Sequence, residues 1–275
     1  MSGILYIVAT PIGNLEDMTF RAVRILKEAD LIAAEDTRHS RKLLSHFGIK
    51  TPLTSYFDHN QTLKGEQILD MLLAGKNIAL ISDAGTPCIS DPGYQLVHDV
   101  LKHGLKVVPI PGACAATAAL SAAGLPTDSF YFAGFPPAKS GKRRSFLAPL
   151  AALSATIILY EAPHRLLATL GDIAEVMGKR QIAIARELTK IYEEFITGEL
   201  PDIIEQISKG KERGELVILI AAAKEQDKEA DAHSVEEQLR GLLAKGYSVK
   251  DAATMTAVAT GQPRRLLYAQ ALSLR

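Results

Sequence analysis

The sequence holds few of the features that would mark a metal site, a disulfide scaffold or a membrane protein. Its two cysteines, Cys88 and Cys114, lie in small-residue surroundings without CxxC or Cys/His spacing, which argues against a disulfide framework and a zinc site and for a reducing compartment. There is no excess of either charge: Lys+Arg and Asp+Glu both total 31. The molecule as a whole is therefore no electrostatic magnet for nucleic acid, and any basic surface must be local. No stretch reaches the roughly 18–20 apolar residues that a membrane helix needs. The opening Ile4-Leu5-Tyr6-Ile7-Val8-Ala9 lacks the basic leader and cleavage site of a signal peptide. Its β-branched content suits a core strand, and a cytoplasmic location is expected. No internal repeat or low-complexity tract is visible.

What is present reads as α/β. The chain of 275 residues is long enough for two α/β domains. The apolar run Ile78-Ala79-Leu80-Ile81 suits a strand buried on both faces. It opens into Asp83-Ala84-Gly85-Thr86-Pro87-Cys88-Ile89-Ser90-Asp91-Pro92-Gly93, where Gly85 allows close approach to a ligand and Asp91-Pro92 reads as a helix N-cap and first position. Loops at the carboxyl ends of parallel strands are where open α/β sheets bind ligands.

Before this run the pattern gives a strand, a helix capped by Asp17, a strand at 31–34 and helices at 39–47 and 61–74. After it come a helix at 92–103, a strand at 106–110 and a small-residue helix at 113–123. A second alternation has strands near 130–133, 156–160, 181–186, 193–197 and 215–221, with turn residues that predict a mixed sheet. Residues 224–231 are dense in charge and read as an exposed linker. Three short amphipathic helices punctuated by Gly246 and Gly261 follow. The expected organisation is an α/β domain over 1–112, a second over 113–223, and a small helical module of helix-turn-helix type over 233–275.

Several clusters could carry chemistry. Glu35, Asp36, Arg38 and His39 end a strand on the same side as the glycine loop, which favours substrate contacts over a plain helix start. Tyr160-Glu161 and Arg186-Glu187 also follow apolar strands, where their charges could equally pair at a domain junction. Lys139, Lys142, Arg143 and Arg144 form one dense basic cluster, either a solvated face or a contact for RNA phosphates. Arg264 and Arg265 follow Pro263 at a helix start, where the macrodipole disfavours them unless an anion is near.

Taken together and in this order, Val8-Ala9-Thr10-Pro11-Ile12-Gly13-Asn14, Ala34-Glu35-Asp36-Thr37-Arg38, the loop at 82–93, Pro109-Ile110-Pro111-Gly112, Tyr160-Glu161-Ala162-Pro163-His164-Arg165 and Arg186-Glu187-Leu188-Thr189-Lys190 resemble the tetrapyrrole methylase family of class III methyltransferases. The resemblance implies two α/β domains with S-adenosylmethionine in the cleft between them, a homodimer, and 2′-O-methylation of a cytidine in small-subunit ribosomal RNA. By that likeness Pro11, Gly85, Ile89, Ser90, Ala113, Ala115, Ala116, Tyr160 and Ala185 would hold the cofactor. Asp36, Glu161 and Glu187 are the candidate bases, with Arg186 or Lys190 stabilising a developing alkoxide. Glu35, Arg38, Arg165, the basic cluster and Arg264-Arg265 would meet the substrate. A porphyrinoid methyltransferase, which the Gly85-Thr86-Pro87 loop disfavours, and a non-catalytic S-adenosylmethionine or nucleotide sensor are the alternatives.

Overall fold

The computed structural model describes residues 2–57, 60–209, 214–223, 225–260 and 264–274, with side chains throughout except over 225–234. It divides into two units, Met1–Ala221 and Ala222–Arg275.

The first unit opens with β1 (Ile4–Val8), α1 (Phe20–Glu28), β2 (Leu31–Ala34), α2 (Thr37–His46), β3 (Leu53–Ser55), α3 (Gln61–Leu73), β4 (Ile78–Ile81), α4 (Tyr94–Lys102) and β5 (Lys106–Ile110). The strands make one parallel sheet in the order β3-β2-β4-β1-β5. Helices cover both faces: Ala22, Ile25 and Leu26 pack over Val8, Ile32 and Ala79, while Ile68, Leu72, Leu96 and Val100 pack over Leu5, Ala33 and Leu80. That is why all four residues of β4 are apolar and buried. Every loop leaving the carboxyl ends of these strands lies along one edge.

α5 (Ala115–Ala122), β6 (Phe130–Gly134), α6 (Ser140–Leu147), β7 (Thr156–Glu161), α7 (Leu166–Met177), β8 (Gln181–Arg186), β9 (Glu194–Glu199), α8 (Leu200–Ser208) and β10 (Leu216–Ile220) follow. The second sheet runs β6-β7-β10-β8-β9, parallel only between β6 and β7. The mixed sheet expected from the sequence is present. The alanines of α5 let it lie close on Ile158, Ala183, Ala185 and Val217, and Ile12 from the first half joins this cluster.

Some local expectations need correction. α1 is capped by Thr19, whose hydroxyl accepts from the Ala22 N–H, whereas Asp17 closes a preceding 3₁₀ turn. Asp91-Pro92 does not start α4; the cap is Gly93, at φ 137°, because the chain is still turning through left-handed residues there. β3, only three residues long after Pro52, was not anticipated.

The second unit contains α9 (Glu225–Ala244), α10 (Val249–Thr260) and α11 (Arg264–Ser273) around Leu239, Ala252, Ala253, Leu267 and Ala271. The stretch read as a linker is helical from Glu225, since its Glu, Gln, Lys and Ala are good helix formers. Its expected exposure, and the readings of Lys224, Gly261 and Pro263, lie outside the described residues. No described helix is long and apolar enough to cross a membrane, and the described residues hold no cluster suited to a metal ion.

Candidate active site

The loops at the carboxyl edge of the first sheet are tied to one another. Thr10 and Gly85 exchange both backbone hydrogen bonds, at 2.8 and 3.1 Å, forming a short antiparallel bridge between the loops after β1 and β4. The Thr86 hydroxyl donates to the Ala113 carbonyl at 3.0 Å, adding the loop after β5. Gly85 sits at φ 86°, and the non-glycine residues Cys88 and Ser90 also have φ near 70°, at 71° and 67°. A left-handed non-glycine residue costs about 1–3 kcal/mol and persists where surrounding structure holds it, most often at functional sites.

Between this edge and the second sheet lies a cavity of about 360 Å³, within the range of small-molecule sites. Ile12, Gly85, Ile89, Ser90, Asp91 and Ala115 form one side; Phe135, Tyr160, Leu188 and Val217 form the other. The Tyr160 hydroxyl accepts from the Ala116 N–H at 3.0 Å, and Phe132 and Phe135 meet its ring edge-on. Burial pushes the Tyr160 phenol well above its ordinary range, so it stays protonated. Burial also raises the Asp91 carboxyl, against a hydrogen bond from Ser82 that lowers it. Asp91 is one lining residue that the sequence disguises: Asp before Pro is the usual mark of a cap, and the left-handed turn brings it to the cavity instead.

The lining suits S-adenosylmethionine: apolar walls for an adenine ring, a backbone without Cβ at Gly85, and a half-buried carboxylate for the ligand's cationic end. Of the residues expected to hold it, Gly85, Ile89, Ser90, Ala115 and Tyr160 line the cavity. Ala116 joins through its N–H and Ala113 through the Thr86 hydrogen bond. Pro11 faces a neighbouring cavity. Ala185 is not among the residues that line the cavity; it is fully buried in the cluster beneath α5.

That neighbouring cavity, of about 440 Å³, shares Ile12, Ala84 and Glu215 with the first and is lined further by His39, Lys42, His46, Asp83 and Lys190. The candidate bases are all engaged. Asp36 caps α2 and pairs with Arg38, whose side-chain and backbone hydrogen bonds hold its carboxyl at about 2; its own N–H donates to Asp83. Glu35, beside it, is half-buried. Glu161 is buried and takes an ion pair from Arg165 at 3.0 Å with donors from Ala162 N–H and the Thr169 hydroxyl. Glu187 accepts from Lys190 at 2.8 Å and from the Glu215 N–H at 3.0 Å, which together lower its carboxyl. Burial alone would lower Lys190, but Glu187 and Glu215 outweigh it and keep the ammonium charged. Arg186 pairs with Glu194 across β8 and β9.

The two arginines of the basic cluster are neutralised within the protein, while Lys139 and Lys142 are exposed. Arg143 is 3% exposed and pairs with Asp172 at 2.6 Å while donating to the Ala138 and Ala168 carbonyls. It cannot meet RNA as the sequence suggested, because α6 turns it onto α7. Arg144 pairs with Glu175 of α7, while Lys142, exposed on α6, has no ion pair among the described residues. In the separate second unit Arg264 and Arg265 are exposed on the first turn of α11.

Comparison with known proteins gives the same picture over the whole length. Residues 4–204 match the family described as Tetrapyrrole (Corrin/Porphyrin) Methylases, and residues 229–275 match an RsmI C-terminal HTH domain. The chain is 50% identical over 99% of its length to ribosomal RNA small subunit methyltransferase I of Synechocystis sp., covering 98% of that protein. To the protein of that name from Halalkalibacterium halodurans it is 47% identical over 97% of its length and 93% of the relative's. Among solved structures, a diphthine synthase aligns with a TM-score of 0.64 at 14% identity over 80% of this chain and 90% of its own. Uroporphyrin-III C-methyltransferase from Thermus thermophilus, complexed with S-adenosylhomocysteine, aligns with a TM-score of 0.54 at 21% identity over 79% and 97%. Those structures share the fold of two α/β sheets, and with the sequence match they establish that the chain belongs to the tetrapyrrole methylases.

Proposed function

We propose that this chain is a methyltransferase acting on small-subunit ribosomal RNA, with S-adenosylmethionine as donor and the ribose 2′-oxygen of a cytidine as acceptor. The observation that carries the reading is near-complete alignment, at 47–50% identity, with relatives named for methylation of that RNA. The two adjoining cavities support it, one suited to the donor and the other open to an acceptor. The donor supplies a sulfonium methyl that is already electrophilic. The protein's task is to hold the attacking oxygen in line and to ease loss of its proton, and positioning of this kind is worth on the order of 7 kcal/mol or more.

In this reading Lys190, kept charged by Glu187 and Glu215, stabilises the alkoxide that develops on the ribose. Glu187 acts through Lys190 and is a positioning residue. Asp36, held low by Arg38, is a weak base and shapes the substrate side rather than accepting the proton, while Glu161 is taken up by Arg165, the Ala162 N–H and the Thr169 hydroxyl. Glu35 and Arg38 border the entry for RNA. With the donor bound, its C–S bond would break as the O–CH₃ bond forms, and the open cleft would let the hydroxyl proton leave to solvent. Arg264 and Arg265 on the helical module hold flanking RNA, and the enzyme works as a cytoplasmic homodimer.

Tritiated S-adenosylmethionine offered with purified small ribosomal subunits, free RNA and a porphyrinoid pool tests the reading. Label should enter the subunit RNA. Label entering only the porphyrinoid pool, or none of the three, would refute it.

A further inference from the structure

α2 carries Arg38, His39, Arg41, Lys42 and His46 within ten residues and no acidic residue. Arg38 is satisfied by Asp36 at the helix start. Arg41, Lys42 and the nearby Lys50 are exposed, and no ion pair with them is found among the described residues. This contrasts with α6, whose arginines are consumed by Asp172 and Glu175. In a molecule of zero net charge, an uncompensated stripe of cations is a local field that favours an anionic partner.

Its position says which partner. His39, Lys42 and His46 recur at helical spacing and form one wall of the cavity whose other wall holds Lys190. That cavity shares Ile12, Ala84 and Glu215 with the one suited to the donor. Arg41 and Lys50 continue the positive surface around the helix, away from the cleft, along a shallow groove. A flat ligand confined to the cleft would have no use for that continuation, whereas a nucleic-acid strand presents a phosphate at every nucleotide.

We propose that α2, with Lys50 just beyond it, is the track that binds RNA backbone phosphates flanking the target nucleotide and leads the strand into the cleft. The inference rests on the reading of RNA as substrate. The contacts are to phosphate and carry no sequence information; they set where the strand lies.

The test compares Arg41→Gln/Lys42→Gln/Lys50→Gln with Lys102→Gln/Lys106→Gln/Lys179→Gln, a control that removes the same charge from exposed positions beside β5 and β8, away from α2 and β3. Binding of purified small ribosomal subunits is measured from about 50 to about 200 mM salt, and transfer is followed separately. Three phosphate contacts contribute a salt slope of roughly 2. Over this range the parent should therefore lose about twenty-fold more affinity than the α2 variant. The α2 variant should show a raised KM for subunits and an unchanged Kd for S-adenosylmethionine, and the control should match the parent. Equal slopes in parent and α2 variant, or equal losses in both variants, would overturn the proposal. A parent that binds subunits with a steep slope yet transfers no methyl would refute the methyltransferase reading and leave the track standing.

Discussion

At the scale of single residues, the same residue type takes different parts according to what surrounds it. Arg143 and Arg144 are adjacent, yet only the first is sealed under α7 with Asp172. Breaking a buried pair by removing one partner strands the other charge, at a cost of about 3–5 kcal/mol. Arg143→Ala should therefore lower stability by that much in urea titration, while Arg144→Ala, half-exposed, should change it by less than about 1 kcal/mol. Similar losses in the two variants would contradict the assignment. Glu187 gives a pH-dependent contrast. Its carboxyl is held below its ordinary 4.5 by Lys190 and the Glu215 N–H, so the unfolded chain binds a proton more readily than the native one. The stability it supplies is present above that value and is lost as pH falls through the lower folded-state value. The gap in unfolding free energy between the parent and Glu187→Gln should thus narrow from about pH 7 to about pH 3; a gap that widens on acidification would have the sign wrong. Lys190→Ala should reduce turnover about a hundredfold or more with donor affinity unchanged, and equal turnover would remove it from the mechanism.

At the scale of elements, the loop after β4 concentrates both strain and function. Cys88 and Ser90 hold left-handed conformations that glycine adopts without penalty. Ser90→Gly should therefore stabilise the protein by roughly 1 kcal/mol while weakening S-adenosylmethionine binding in calorimetry; loss of stability would show that the turn is not strained. Gly85→Val is strained on backbone grounds before any ligand arrives, because φ is 86°, although a Cβ there would meet the Ile12 side chain at an ordinary 3.4 Å. What the sequence made legible here was periodicity and punctuation. The fully buried β4, the alanine-rich α5 and the mixed second sheet follow from apolar runs, small residues and turns. β3 escaped notice because three half-buried residues carry too little pattern. The true neighbours of Arg143, Glu161 and Asp91 depend on which way α6, α7 and the turn before α4 face, and local sequence does not encode that. The cations of α2 were visible in the sequence, but only the cavity beside Lys190 gave them a direction.

At the scale of the whole molecule, the division at Ala221 separates a unit that contains both sheets and both cavities from a helical unit with its own small core. A chain ending at Ala223 should fold and bind S-adenosylmethionine with parental affinity, while methylating ribosomal subunits more slowly through loss of Arg264 and Arg265. Parental transfer rates would deny the module a part in holding RNA. The central claim is that the cleft delivers a methyl group to a ribose oxygen of ribosomal RNA, and the most direct test is the chemical position of the transferred group. Small ribosomal subunits lacking the modification should be incubated with the protein and isotopically labelled S-adenosylmethionine, digested to nucleosides and resolved by mass spectrometry. The account predicts label in 2′-O-methylcytidine alone; label on a base carbon or ring nitrogen, or absent from the RNA, would contradict it.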